Sequence, residues 1–194
     1  ERAKEVAGME PIFEIHPYKQ KKVGIVTTGS EVYHGRIQDT FTPVIIEKVT
    51  EYGANVLGHE ICDDDPQLIG GAIHKLLKEG CNMILCTGGM SVDPDDRTPL
   101  AIRNVTGNVV SYGAPVLPGA MFLLAYYGGD LPVLGLPGCV MYAKRTVFDL
   151  VLPRIMTGEI LTKEDLDLLG EGGLCLDCPV CTFPNCGFGK CGSR

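Results

Sequence analysis

Residues 83–99, MILCTGGMSVDPDDRTP, decide how this chain reads. The first five residues form an apolar run of strand length, which breaks at Gly88 and Gly89. Neither glycine carries a Cβ, so each accepts positive φ or the close approach of another group. Ser91 and the aspartates Asp93, Asp95 and Asp96 follow, and Thr98-Pro99 has the chemistry of a helix start, a hydroxyl cap before a proline at the first helical position. The stretch predicts a buried strand that delivers a glycine loop to a helix N-terminus, where unpaired N–H groups favour an anion. Carboxylates this close repel unless something satisfies them, which favours a ligand loop over a plain turn.

Working outward, the same arrangement recurs. VGIVTT, residues 23–28, is a β-branched run bounded by Gly29 and reads as a first buried strand. Residues 42–52 place Val44, Ile45, Val49 and Tyr52 at helical spacing and stop at Gly53. A strand over 54–59, the acidic turn CDDDP, a helix over 66–79, the strand 82–87 and a helix over 98–104 complete the alternation. Strand and helix alternating through short glycine-bounded connections predict an α/β fold, a three-layer α/β/α sandwich around a mainly parallel sheet. Ligands of such sheets bind at the carboxyl ends of the strands, where TTGSE and CTGGMS face one crevice. Two apolar runs around Gly128-Gly129-Asp130 read as a hairpin, and LPGCV, residues 136–140, opens a last helix over 141–155. The division that follows is a linker or edge strand over 1–22, an α/β domain over 23–158, and a small appendage over 159–194 made of a short charged helix and a Cys-rich tail.

Composition narrows the function classes. A net charge of −7 argues against a nucleic-acid partner, which needs a basic face. The longest apolar runs are interrupted well short of the roughly 20 residues of a membrane helix, and the charged first twenty residues lack the apolar core of a secretory signal. With no such signal, Cys62, Cys81, Cys86 and Cys139 read as reduced thiols in or near the core and the cytoplasm as the compartment. A start at Glu1 rather than Met fits an excised domain of a longer protein.

The candidate chemistry is oxygen-rich. Glu31 can accept ligand N–H groups or hold Mg²⁺ with Asp64, Asp65 or Asp96, whereas a lone Glu is more commonly a surface carboxylate. Asp65 before Pro66 equally well caps a helix. His34 has no partner evident from sequence.

The ordered series TTGSE, a GxxxxD spanning residues 35–39 followed by Thr40, DDP at 64–66, TGGMSVxxxDxT at 87–98, and LPG at both 117–119 and 136–138 closely resembles the molybdopterin-binding domain family, whose members include MoeA, MogA, gephyrin and CinA. The resemblance runs over about residues 23–158. It implies a domain that binds the dithiolene phosphate of the pterin at the carboxyl edge of the sheet, with Thr28, Gly29, Ser30, Glu31, Gly88, Gly89, Met90, Ser91, Asp96, Pro118, Gly119, Pro137 and Gly138 against the cofactor. Glu31 and Asp96 suit the donor edge of the pterin ring, and the glycine loops suit the phosphate. It further implies a homo-oligomer, trimer or dimer, and a biosynthetic or molybdoenzyme partner. Three activities are compatible with it: holding the cofactor or a precursor for assembly or delivery; molybdotransferase-like insertion of molybdate, with Glu31, Asp64 and Asp96 as the catalytic set; and CinA-like hydrolysis of a nucleotide pyrophosphate. The chain departs from the family pattern at LPGAM, which lacks a cation, at LPGCV in place of LPGNP, and at Phe41 in place of asparagine. The loss of cationic groups weakens phosphate binding or changes the ligand, and argues against molybdate insertion or adenylyl transfer, so binding is a safer expectation than catalysis.

In the tail, Cys175-x2-Cys178-x2-Cys181-x4-Cys186-x4-Cys191 resembles the opening of a bacterial ferredoxin run, with a four-cysteine zinc site as the alternative.

Overall fold

The structure, a computed structural model, describes residues 2–8 and 13–190. After the short helix α1 (Arg2–Ala7), the chain builds β1 (Lys22–Thr28), α2 (Ser30–Tyr33), α3 (Phe41–Glu51), β2 (Asn55–Cys62), α4 (Pro66–Lys78), β3 (Met83–Thr87) and α5 (Thr98–Thr106). Three further strands follow, β4 (Val109–Tyr112), β5 (Leu123–Tyr127) and β6 (Leu131–Leu136), then α6 (Val147–Thr157) and α7 (Lys163–Leu168). The sheet order is β2-β1-β3-β6-β5-β4. β2, β1, β3 and β6 are parallel, and β5 and β4 return antiparallel to close one edge.

Both faces of the sheet are covered, as the uninterrupted burial of β1 and β3 requires. Alternate residues divide between two cores. Val23, Ile25, Met83, Leu85 and Leu134 pack with Ile45 and Val49 of α3 and Phe148, Leu152 and Ile155 of α6. Val26, Ile84, Cys86 and Val133 face the other way, onto Ile69, Ile73 and Leu76 of α4 and Ala101 and Ile102 of α5. This is the expected three-layer arrangement with a mainly parallel sheet. The buried thiols Cys62, Cys81 and Cys86 lie in the second core, where desolvation pushes Cys62 up to about 11 and raises Cys86 as well, so neither is a ready nucleophile.

Several elements differ from the sequence reading, among them the short helix α1, which lies in the expected linker or edge strand. The edge strand β4 falls where turn signals dominate, because four residues are too few for a period to show. The helix expected over 141–155 is split into a 3₁₀ turn, Gly138–Met141, and α6, which starts only at Val147. Thr146 and Asp149 form a reciprocal capping box there: the Thr146 hydroxyl accepts from Phe148 N–H, and Asp149 accepts from Thr146 N–H at 2.8 Å. At the N-terminus, Ile12 lies outside the described residues, and residues 13–21 enter no strand.

The C-terminal stretch packs on the domain. Leu166, Leu169 and Phe188 are buried in the first core, with Phe183, Cys175 and Cys186 against it. Leu174 pairs with Leu117 in a parallel bridge, flanked by Leu117 N–H to Gly173 O and Cys175 N–H to Leu117 O.

Candidate functional site

β1 and β3 run side by side, and their carboxyl ends are clamped together. Gly88 has φ +81°, and a Cβ there would lie 2.1 Å from the Thr28 carbonyl oxygen, so only glycine permits this approach. The hydroxyls of Thr28 and Thr98 meet at 3.1 Å, and Thr98 donates to the Gly88 carbonyl at 2.9 Å. One residue after the clamp, Gly29 turns the chain at φ +137°, and Ser30 N–H donates to Asp64 at 3.0 Å. The ends of β1, β2 and β3 are thereby joined into one rim at the carboxyl edge of the sheet.

The aspartate cluster after β3 is accounted for by its own turns. Asp96 accepts from both the backbone N–H and the hydroxyl of Ser91, the latter at 2.8 Å. Asp93 N–H donates to Ser91 Oγ and Asp95 N–H to Asp93. Tyr112 of β4 donates its hydroxyl to the Ser91 carbonyl at 3.1 Å, and burial together with the Asp96 charge raises the Tyr112 pKa. Ser91, Asp96, Arg103, Tyr112 and Met121 line a cleft between α5 and the edge of the sheet.

The predicted site residues divide into those on the rim and those turned from it. Thr28, Gly29, Ser30, Gly88, Gly89, Ser91 and Asp96 belong to the clamp and its loops. Glu31 is exposed at the start of α2, and its carboxylate makes no hydrogen bond or ion pair among the described residues. Asp65 caps α4, accepting from Gln67 and Leu68 N–H at 2.8 and 3.0 Å. The Met90 side chain is buried against Gly135, where a Cβ would meet its methyl group at 2.5 Å, which leaves Met90 only its backbone for a ligand. Pro118 and Gly119 pack on the start of α6: Val147 N–H donates to the Pro118 carbonyl, and a Cβ on Gly119 would strike Val147. Pro137 and Gly138 open the 3₁₀ turn after β6, with Cys139 half-buried inside it. His34 stands 3.7 Å from Asp63. Among the described residues no three His, Cys, Asp or Glu side chains converge on a single ion. Asp64 and Asp96 each accept a backbone N–H through one carboxylate oxygen. Cys191 lies outside the described residues.

Two polar groupings escaped the sequence reading. Asp39 caps α3 through the Phe41 and Thr42 N–H groups, and Thr27, Thr42 and His59 converge on it, with His59 Nε2 2.9 Å from the Thr27 hydroxyl and 3.4 Å from Asp39. Burial opposes the charge on Asp39, but the Thr42 hydroxyl, the two amides and His59 outweigh it and hold its pKa below the ordinary carboxylate value. Asp39 was visible in the GxxxxD spacing. His59, one position in a strand with no neighbouring motif, was not. The second grouping is Asp149, 3% exposed, held by Lys48 at 2.6 Å and Arg145 at 3.0 Å. Its partners are 101 and 4 residues away, and only folding brings the far one near.

Residues 24–157 match the family described as "Probable molybdopterin binding domain". A CinA-like protein of Mycobacterium sp. (strain MCS) is 35% identical over 86 residues, 44% of this chain. The alignment spans only 20% of that relative's length. Among solved structures, the molybdopterin biosynthesis enzyme MoaB of Thermus thermophilus superposes with a TM-score of 0.60 and 25% identity, covering 72% of this chain and 98% of that one. The tungsten cofactor synthesizing MoaB of Pyrococcus furiosus has a TM-score of 0.58 at 19% identity, over 71% and 93% of the two chains, a likeness of fold. No helix among the described residues is long and apolar enough to cross a membrane.

Proposed function

The chain belongs to the molybdopterin-binding domain family, and from that premise we propose that it binds molybdopterin or a precursor at the carboxyl edge of its sheet, holding it for cofactor assembly or delivery. The observation that carries this reading is the clamp of Thr28, Gly88 and Thr98, with Glu31 exposed and unpaired three residues after Thr28. A rim fixed by its own hydrogen bonds meets a ligand without an ordering cost at the moment of binding. The glycine turns and the hydroxyls of Ser30 and Ser91 suit the terminal phosphate, and the N-terminus of α5 favours its charge. Glu31 supplies a carboxylate for the paired N–H donors of the pterin edge. Asp96 closes the Ser91 loop and presents its remaining oxygen on the same side. Holding and delivery are preferred to molybdate insertion because neither LPGAM nor LPGCV carries a cation for the incoming anion. The protein acts in the cytoplasm as a dimer or trimer and hands its ligand to a biosynthetic or molybdoenzyme partner.

Anaerobic titration with molybdopterin, followed by pterin fluorescence, tests the reading. The expected result is saturable binding that Glu31→Gln weakens by about tenfold or more, as loss of a charged hydrogen-bond acceptor does. Absence of saturation, or affinity unchanged in both Glu31→Gln and Asp96→Ala, overturns it. The similarity to CinA-like proteins motivates a second reading, hydrolysis of a nucleotide pyrophosphate. Cleavage of ADP-ribose without saturable pterin binding would establish that reading in place of the first.

A further inference from the structure

We propose that Cys175, Cys178, Cys181 and Cys186 hold a [4Fe–4S] cluster in the pocket they share at the carboxyl edge of the sheet. All four thiols line one cavity of about 90 Å³, walled on its inner side by Phe183 and the buried Phe188. None of them is in a disulfide. A set of four thiolates is a soft site that selects zinc or an iron–sulfur cluster. The two differ in size. Zinc draws four sulfurs to about 2.3 Å from one centre, hence within about 3.8 Å of one another. All four cysteines line the same void, and among the described residues no three His, Cys, Asp or Glu side chains are placed to hold a single ion. Thiols arranged around a cavity rather than on a point fit a cage of four irons and four sulfides, which takes one thiolate at each iron.

Four thiolates on a doubly positive core leave a net charge of minus two, and two cations of the loop after β6 border the pocket. Lys144 Nζ donates to the Cys178 carbonyl at 3.1 Å and pairs with Asp177 at 3.6 Å. Arg145 lines the same pocket as Cys181 and lies 4.8 Å over the Phe183 ring. Both fix the segment while each is also paired with a carboxylate, Lys144 with Asp177 and Arg145 with Asp149.

The need for a cross-link is evident in the segment itself. Residues 175–190 contain no helix or strand, and Phe188 is their one buried apolar side chain. Their backbone is nevertheless threaded closely against the domain: Gly189 N–H donates to Gly172 O at 2.7 Å, and a Cβ on Gly172 would lie 2.4 Å from the Gly187 carbonyl. Ordering so long a stretch with so little burial requires another source of free energy, and a cluster bound by four side chains of the segment supplies it.

Full-length protein, purified anaerobically or reconstituted with ferrous iron and sulfide, tests the assignment. It is expected to carry about four irons and about four sulfides per chain and a broad visible absorption at the blue end. Cys178→Ala and Cys181→Ala each lose the iron, whereas Cys191→Ser keeps it, because four ligands already complete the site. Stripping the iron exposes residues 174–190 to protease and leaves residues 23–158 resistant, a readout independent of any variant. Colourless protein with about one zinc per chain, no iron uptake on reconstitution, or full iron in the Cys178→Ala/Cys181→Ala double variant overturns the proposal. These outcomes are independent of whether the protein binds a pterin.

Discussion

The rim at the strand ends and the cysteine segment lie on the same edge of the sheet and are built in opposite ways. The rim is a set of short turns whose shape is dictated by bonds within the protein: a glycine at φ +81°, two hydroxyls at 3.1 Å, a carboxylate on a serine N–H. The cysteine segment is long and irregular, held by one buried phenylalanine, a few half-buried side chains and a few backbone bonds. The difference teaches that a rim on parallel strands can be organised by short-range bonds between its own turns, whereas a segment without regular structure takes its order from packing and, on the proposal above, from what it binds.

Gly88→Ala attacks the first region where it is most tightly determined. The added methyl must avoid the Thr28 carbonyl at 2.1 Å while the backbone keeps a positive φ, so the ends of β1 and β3 separate. A loss of about 4 kcal/mol in denaturant unfolding is expected, together with loss of pterin binding. Unchanged stability would mean that the clamp does not set the shape of the rim.

Phe188→Ala is the corresponding test of the second region, with an expected cost of about 3 kcal/mol for emptying a buried aromatic site. In cluster-loaded protein the effect shrinks, because the thiol ligands hold the segment in place. Equal losses with and without iron would show that the aromatic anchor, not the cluster, orders residues 174–190.

How far each region was legible follows from the same contrast. The rim was readable because its causes are local: Gly-Gly after an apolar run, Thr-Pro before a helix, Asp65 before Pro66. The parallel sheet was readable from alternation, and the family resemblance ordered the pieces. What lay beyond reach depended on distant partners. His59 joins Asp39 across 20 residues of sequence, and Lys48 reaches Asp149 across 101. The cysteine spacing suggests a metal site, which stands here as a proposal, and nothing in it foretold that Phe188 enters the core of the domain or that Leu174 pairs with Leu117. Likewise the delayed start of α6 rests on the Thr146–Asp149 box, which a continuous apolar pattern conceals.

A smaller effect is expected from acid, and it acts at the base of the cysteine segment. Asp165 closes the capping box of α7, and the Thr162 amide, working against burial and helped by Arg154 and the Thr162 hydroxyl, holds its pKa down to about 2 from 3.8. A folded-state pKa below the unfolded one stabilises the protein above the unfolded value, and that stabilisation disappears as pH falls through the folded value. The contribution is therefore present above about pH 4 and lost between about pH 4 and pH 2. Thermal melts of the native chain and Asp165→Asn should converge across this window. Parallel curves would place the acid sensitivity elsewhere, with Asp39 at the rim next in line because its pKa is held down in the same direction.

The smallest expected change in stability carries the most information about function. Glu31 is exposed and its carboxylate bonds to nothing among the described residues, so Glu31→Gln removes a charge without disturbing the clamp. Surface substitutions of this kind stay within about 0.5 kcal/mol. Pterin affinity is nevertheless expected to fall by about tenfold or more, since glutamine replaces one of two acceptor oxygens with a donor that faces the N–H edge of the ring. A variant with native melting behaviour and weakened binding separates the chemistry of the rim from its shape, which Gly88→Ala cannot do because it alters both. If instead Glu31→Gln melts early, Glu31 supports the fold, and the ligand's donors must be met by Asp96 through the oxygen not committed to Ser91.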